Sequence, residues 1–262
     1  MLGKLRSEKP IIHCITNHVV SNFQANGLLA LGASPIMGEA PEEAAELAAL
    51  ADAVSLNIGT LNSQSLNSML IAGKKANALG VPVVLDPVGV GATAFRAAAV
   101  NKILAAVEVA VLRCNAGELA AIAGADWQAK GVDAGEGEAD IHELARNTAK
   151  RWKLIVAVSG ELDIVTDGKR VAEIPFGHRV MTSVTGTGCL LSSVVAAFLA
   201  VHPEDRFEAA AAAMRYYAIA GEQASAHSEL PGDFQTAFLN QLNAMGQNDI
   251  DGVIHQKEGV PR

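Results

Sequence analysis

The sequence is poor in aromatic residues, which fill only 4% of its 262 positions. A surface built to stack nucleic-acid bases would have few platforms. Basic residues are outnumbered, with 20 Lys and Arg against 28 Asp and Glu, for a net charge of -8. That balance excludes a broad basic face for a phosphate backbone, but leaves room for one local basic site. No nucleic-acid partner is expected. Cysteine occurs three times, at Cys14, Cys114 and Cys189. So sparse and odd a set excludes a disulfide framework and a Cys-x-x-Cys metal site, and points to a reducing, cytoplasmic setting. Residues 1–10 carry charge without an apolar core, so no signal peptide is expected. The longest apolar stretch, near residues 189–201, is broken by Ser192 and Ser193. It falls short of the roughly 20 residues of a membrane span and reads as a buried helix; no membrane association is expected. Gly-x-Ser-x-Gly is absent, which argues against a hydrolase elbow. The phosphate-binding loop Gly-x-x-x-x-Gly-Lys-Ser/Thr is absent too, as are internal repeats.

What is present is an ample core: half the residues are apolar and 18% are charged, which rules out intrinsic disorder. Continuous apolar runs at Ile11–Thr16, Ala53–Ile58, Val81–Val88, Val109–Cys114 and Leu154–Ser159 suit parallel strands covered on both faces. Helical patterns alternate with them. Pro41 followed by Glu42, Glu43 and Glu46 predicts a helix start. Asn62 or Ser63 is placed to cap a helix whose face runs Leu66, Met69, Leu70, Gly73, Ala76 and which ends at Gly80. Val100, Ile103, Leu104 and Val107 mark another, and Phe207, Ala211, Met214 and Ala218 a long late one. Asp163–Thr166 and Arg170–Ile174 flank Asp167-Gly168 and predict a hairpin. Gly124–Glu138 reads as an acidic solvated loop. The expectation is one α/β domain over residues 1–245, a mostly parallel sheet with helices on both faces, followed by a loose tail over 246–262.

Three places could carry chemistry. Gly186-Thr187-Gly188-Cys189 precedes an apolar helix; glycines let a ligand approach the backbone, and helix-start N–H groups bind anions. A turn that merely begins a helix is the plainer alternative. Asp86 ends one strand, and Arg113 and Asn115 end the next, with Glu118 a turn later. Strand carboxyl ends are where open α/β sheets bind ligands, and two acids, an amide and an arginine suit Mg²⁺ with nucleotide phosphates. As single residues, Asp86 and Glu118 also read as a turn residue and a helix-start charge. Gly89–Ala94 matches G-x-G-x-x-A, with Glu108 as its acid, but Glu108 precedes the following strand instead of ending it, which leaves a dehydrogenase as a rival. His13 and His18 match no zinc motif and read as structural or surface residues.

Asp86-Pro87-Val88, Arg113-Cys114-Asn115-Ala116-Gly117-Glu118 and the late Gly-x-Gly-Cys together resemble the ribokinase-like small-molecule kinases. More narrowly, they resemble the hydroxyethylthiazole kinases of thiamin salvage. The resemblance extends through His13-Cys14-Ile15-Thr16-Asn17, Ala30–Met37, Asn57–Leu61, Leu85–Thr93, Val158–Glu161 and Thr185–Cys189, covering roughly residues 10–235. It implies a ribokinase-like fold and transfer of the ATP γ-phosphoryl group to the hydroxyl of 4-methyl-5-(2-hydroxyethyl)thiazole. It further implies that Met37, Asn17, Val19 and Thr60 line the thiazole pocket, with Gly186 beside them. Gly186 and Gly188 would form an anion hole. Asp86 and Glu118 would hold Mg²⁺, directly or through water, and Arg113, Ser159 and Asn115 would meet ATP. Cys189 would act on the substrate hydroxyl as a base or hydrogen-bond partner, or would only shape the pocket. A homotrimer with thiazole pockets between subunits follows from the same resemblance. The family often has Gly between the Arg and Asn, where this chain has Cys114; a positive φ there would strain it.

Overall fold

The computed structural model describes residues 1–125 and 140–258. Its described strands form one sheet: β1 (Ile11–Ile15), β2 (Ser34–Met37), β3 (Ala53–Asn57), β4 (Val83–Asp86), β5 (Val111–Asn115), β6 (Ile155–Ser159), β7 (Asp163–Thr166) and β8 (Val171–Ile174). Their spatial order is β2-β1-β3-β4-β5-β6-β7-β8. The six from β2 to β6 run parallel, and β7 and β8 continue as the antiparallel hairpin. Gly168 makes its turn, with φ 88°. The five apolar runs are thus all strands, and β3 and β4 are buried along their whole length. β2 was not among the expected strands. Its Ser34-Pro35-Ile36-Met37 is too short and too mixed to stand out, and Pro35 is tolerated because β2 is an edge strand.

Helices cover both faces. On one face α1 (Leu2–Glu8), α2 (Ser21–Leu31), α8 (Thr187–Val201), α9 (Arg206–Ser225), α10 (Pro231–Ala244) and α11 (Gln247–Glu258) enclose one core. On the other, α3 (Ala44–Leu50), α4 (Ser63–Leu79), α5 (Ala94–Ala106), α6 (Ala116–Ala123) and α7 (Ile141–Trp152) enclose a second. Asn62 caps α4 through a reciprocal pair with Ser65, and Gly80 closes it at φ 74°. Leu66, Met69, Leu70, Gly73 and Ala76 all face inward. α8 is apolar around its circumference because it lies between the sheet and α9. Among the described residues, no helix is long and apolar enough to cross a membrane.

Two expectations are corrected. The helix expected at Pro41 begins at Ala44, after a turn over residues 41–43, and Glu43 is its N-cap. Of the loose tail expected over 246–262, Gln247–Glu258 form a helix, because Ile250 enters the first core and Val253 and Ile254 pack against it, while residues 259–262 lie outside the described residues. Of the loop expected over Gly124–Glu138, residues 126–138 lie outside the described residues; Gly124 itself closes α6.

Candidate active site

A strand order of 2-1-3-4-5 turns outward in both directions from the gap between β1 and β3, and ligands favour the carboxyl ends of strands at such a reversal. The polar residues of the sheet collect there. Asn57, last in β3 and 1% exposed, is their hub. Its Oδ1 accepts from Asn17 Nδ2 (2.9 Å) and from the Gly59 N–H (2.9 Å), while its Nδ2 donates to Asp86 Oδ2 (2.8 Å). Ser192 Oγ, from α8, donates to the same Asp86 oxygen at 2.8 Å. Asp86 is fully buried, and its other oxygen, Oδ1, accepts no hydrogen bond. Burial pushes its carboxyl up to about 6 even though Arg113 opposes the shift. Asn57 is hard to single out from sequence, because an Asn closing an apolar run reads as a turn residue; its hub role exists only once β1, β3 and β4 lie side by side.

Arg113 extends the site along the edge. Its Nη1 lies 3.8 Å from the free Asp86 Oδ1, and its Nη2 donates to Ser159 Oγ. Asn115 and Ser159 are paired in register at the ends of β5 and β6. Asn115 also caps α6: its Oδ1 accepts from the Glu118 N–H at 2.8 Å, and Glu118 Oε2 accepts from the Asn115 N–H at 2.9 Å. Glu118 Oε1 accepts from the Gly89 N–H at 2.9 Å, tying the loop after β4 to α6. Cys114 sits within β5 and is not among the residues with positive φ, so it is unstrained in the place where a glycine was expected.

The third component is the start of α8. Gly186 takes φ 95°, and no side chain caps the helix. A Cβ on Gly186 would lie 2.9 Å from Val20 Cγ1, and one on Gly188 would lie 3.0 Å from Arg113 Nη1. Only glycine therefore leaves the backbone N–H groups of this turn open beside the guanidinium. The turn is fixed from behind: Tyr217 donates to the Thr187 carbonyl at 2.6 Å, and Gln24 Nε2 donates to that of Cys189 at 3.0 Å. Asn17 Nδ2 also reaches Cys189 Sγ at 3.5 Å. Burial, aided by the Asp86 charge, pushes the Cys189 thiol up to about 11. The thiol is therefore protonated near neutral pH.

At the opposite end stand Met37, closing β2, Asn17 and Val19 after β1, and Thr60 after β3. Thr60 Oγ1 accepts from the His18 N–H at 3.2 Å. Val19 is 69% exposed and Met37 37%. His13 is fully buried beneath them, its Nε2 2.8 Å from the Gly38 carbonyl; His18 is at the surface, 3.8 Å from Glu39. Neither histidine belongs to a metal cluster. Glu108 lies at the other edge of the sheet, where its backbone pairs with the Asn77 side chain (2.7 and 2.9 Å). Glu108 thus does not stand beside the G-x-G-x-x-A loop, and the dehydrogenase reading loses the acid assigned to it. No group of three or more His, Cys, Asp or Glu able to cage a metal occurs among the described residues. Asp86, whose buried Oδ1 accepts no hydrogen bond, and Glu118 nearby have the chemistry to hold a Mg²⁺ ion that keeps several waters.

Residues 2–248 match the model of the hydroxyethylthiazole kinase family. A hydroxyethylthiazole kinase from Exiguobacterium is 51% identical over 248 residues, 95% of this chain and 94% of that one. One from Listeria monocytogenes is 51% identical over 243 residues, 92% and 90% of the two chains. The solved hydroxyethylthiazole kinase of Pyrococcus horikoshii superimposes with a TM-score of 0.87 at 41% identity, over 95% of this chain and 94% of its own. A ribokinase-like protein of Enterococcus faecalis, 13% identical, shares the fold alone, with a TM-score of 0.62 over 92% and 94% of the two chains. With a ribokinase-like sheet, an uncapped glycine turn facing an arginine and an acid, and half-identical relatives along nearly its whole length, the chain belongs to the hydroxyethylthiazole kinase family.

Proposed function

We propose that this chain transfers the γ-phosphoryl group of ATP to the hydroxyl of 4-methyl-5-(2-hydroxyethyl)thiazole, in the cytoplasm, for thiamin biosynthesis or salvage. The observation that carries the reading is the convergence of three groups on one spot. These are Asp86 Oδ1, which accepts no hydrogen bond, the Arg113 guanidinium ion-paired with it at 3.8 Å, and the open turn Gly186–Cys189. Phosphoryl transfer needs mainly positioning and charge stabilisation, and this set supplies both.

Asp86 and Glu118 would hold Mg²⁺, which when bound neutralises phosphate charge. Arg113, Ser159 and Asn115 take the nucleotide. The N–H groups of the Gly186–Cys189 turn receive the oxygens of the transferring phosphoryl group, and Gly186 and Gly188 keep that space clear. Asn17, Val19, Met37 and Thr60 hold the ring, with the thioether of Met37 against its face. Cys189 meets the substrate hydroxyl as a hydrogen-bond partner. Its raised pKa argues against a preformed thiolate, and a loose transition state needs no strong base.

The active form is a homotrimer. Val19 is 69% exposed in the single chain, and a pocket wall so open needs a second subunit to close it. The deciding experiment is ADP release by purified protein with MgATP, with and without the thiazole alcohol. Thiazole-dependent release, lost without Mg²⁺ and in Gly186→Val, is expected. Release only with a hydroxymethylpyrimidine would keep the fold and move the substrate; no release with either would overturn the reading.

A further inference from the structure

Arg96 is the third residue of α5. A helix start is electropositive, so a basic side chain is out of place there unless something else holds it. What holds it is three backbone carbonyls. Nη1 donates to Ile58 and Val88, and Nη2 to Gly59, each at 2.7 Å. Such charge-assisted bonds are short and strong, and the planar fork of Arg reaches several acceptors that a lysine could not.

These carbonyls belong to two different loops. Ile58 and Gly59 lead out of β3 to Thr60 at the thiazole end. Val88 lies between Asp86 and Gly89, whose N–H is held by Glu118 at the phosphate end. Gly59 is fixed from its other side as well: its N–H donates to Asn57 Oδ1, and a Cβ there would lie 2.7 Å from Asn17 Nδ2. A small movement of either loop is therefore passed through Arg96 to the other.

We propose that Arg96 is a positioning residue that couples the two halves of the cleft, so that nucleotide bound at one end organises the thiazole pocket at the other. Coupling of this kind is reciprocal, so the thiazole alcohol must strengthen nucleotide binding by the same factor. The proposal rests on the phosphoryl-transfer reading above.

The test is a matrix of initial rates over MgATP and hydroxyethylthiazole concentrations for the wild type, Arg96→Lys and Arg96→Met. In the wild type, KM for each substrate should fall at least about fivefold as the other saturates, the lower range of common coupling factors. Arg96→Met should raise both KM values and make them independent, and Arg96→Lys should fall between. Unchanged interdependence in Arg96→Met, a rise in one KM alone, or independent KM values in the wild type would each overturn the coupling. A second measurement needs neither turnover nor a variant. MgADP alone should slow amide hydrogen exchange across residues 58–61 of the wild type, and absence of that protection would overturn the proposal. A wild type that shows the protection but releases no ADP with thiazole would place the fault in the assigned activity and leave the coupling supported.

Discussion

Gly188 separates activity from stability. Its backbone is helical with ordinary φ, so alanine is conformationally acceptable and improves helix propensity by up to about 1 kcal/mol. The new methyl would stand 3.0 Å from Arg113 Nη1 and push the guanidinium off the anion site. Gly188→Ala should keep or raise the melting temperature while kcat/KM falls on the order of 10²-fold, the cost of losing one transition-state donor. Equal activity would show that the turn is not where charge develops. Asp163 carries a pH signature of its own. Burial pushes its carboxyl up to about 6, against the Gly160 N–H and the Arg113 charge. The folded protein therefore holds this proton more tightly than the unfolded chain, whose carboxyl titrates near about 3.9. Stability from this group falls as pH rises through that window. Asp163→Asn keeps an acceptor for Gly160 and cannot ionise. Its stability advantage over the wild type in urea unfolding should grow from about pH 4 to about pH 6 and then level off. A constant difference across that range would count against the raised pKa. On the proposed role of the thiol as a hydrogen-bond partner, Cys189→Ala should retain measurable activity; abolition in a folded variant would restore the base role.

Among the elements, α8 and α11 differ in what they support. α8 carries the open turn, and its position comes from neighbours: Ser192 bonds Asp86, Tyr217 bonds Thr187, and Gln24 bonds Cys189. Tyr217→Phe leaves the buried Thr187 carbonyl without that donor. It should cost about 1–3 kcal/mol of stability, and kcat should fall along with it because the turn loosens. α11 packs on α9. Ile250 and its neighbours Val253 and Ile254 close the first core. Ile250→Ala should cost about 2 kcal/mol, the low end for a large-to-small core change near a chain end, with kinetic constants unaltered. A kinetic effect there would mean that the end of the chain reaches the site.

At the scale of the whole molecule, the site is a row along one edge of one sheet. Met37, Asn17, Thr60, Asp86, Arg113 and Ser159 follow the strand order from β2 to β6, so on the proposed assignment substrate and nucleotide would meet where β1, β3 and β4 adjoin. Val19 and Met37, at the proposed substrate end of that row, are exposed in the single chain, and the proposed homotrimer predicts a particle of three times 27.1 kDa in sedimentation equilibrium. Val19→Glu should disperse it into monomers and raise KM for the thiazole alcohol more than that for ATP. A monomeric, fully active wild type would refute the shared pocket.

Periodicity and end signals sufficed for the five central parallel strands, the Asp167-Gly168 hairpin and the capped α4, because each is set by residues adjacent in the chain. Asp86, Arg113, Ser159, Glu118 and the glycine turn were legible as candidates, since acids, amides and glycines at strand and helix ends break an otherwise apolar pattern. β2 and α11 were not legible; each is short or polar and owes its form to the surface it packs on. Asn57, Arg96 and Tyr217 were silent for the same reason. Apart from Gly59, Asn57 finds its partners 29 and 40 positions away; those of Arg96 lie 8, 37 and 38 positions away, and that of Tyr217 lies 30 away. Local sequence determined which segments fold and which residues could do chemistry. Tertiary structure alone decided which of them meet, because hydrogen bonds between strand ends exist only after the sheet has set their order.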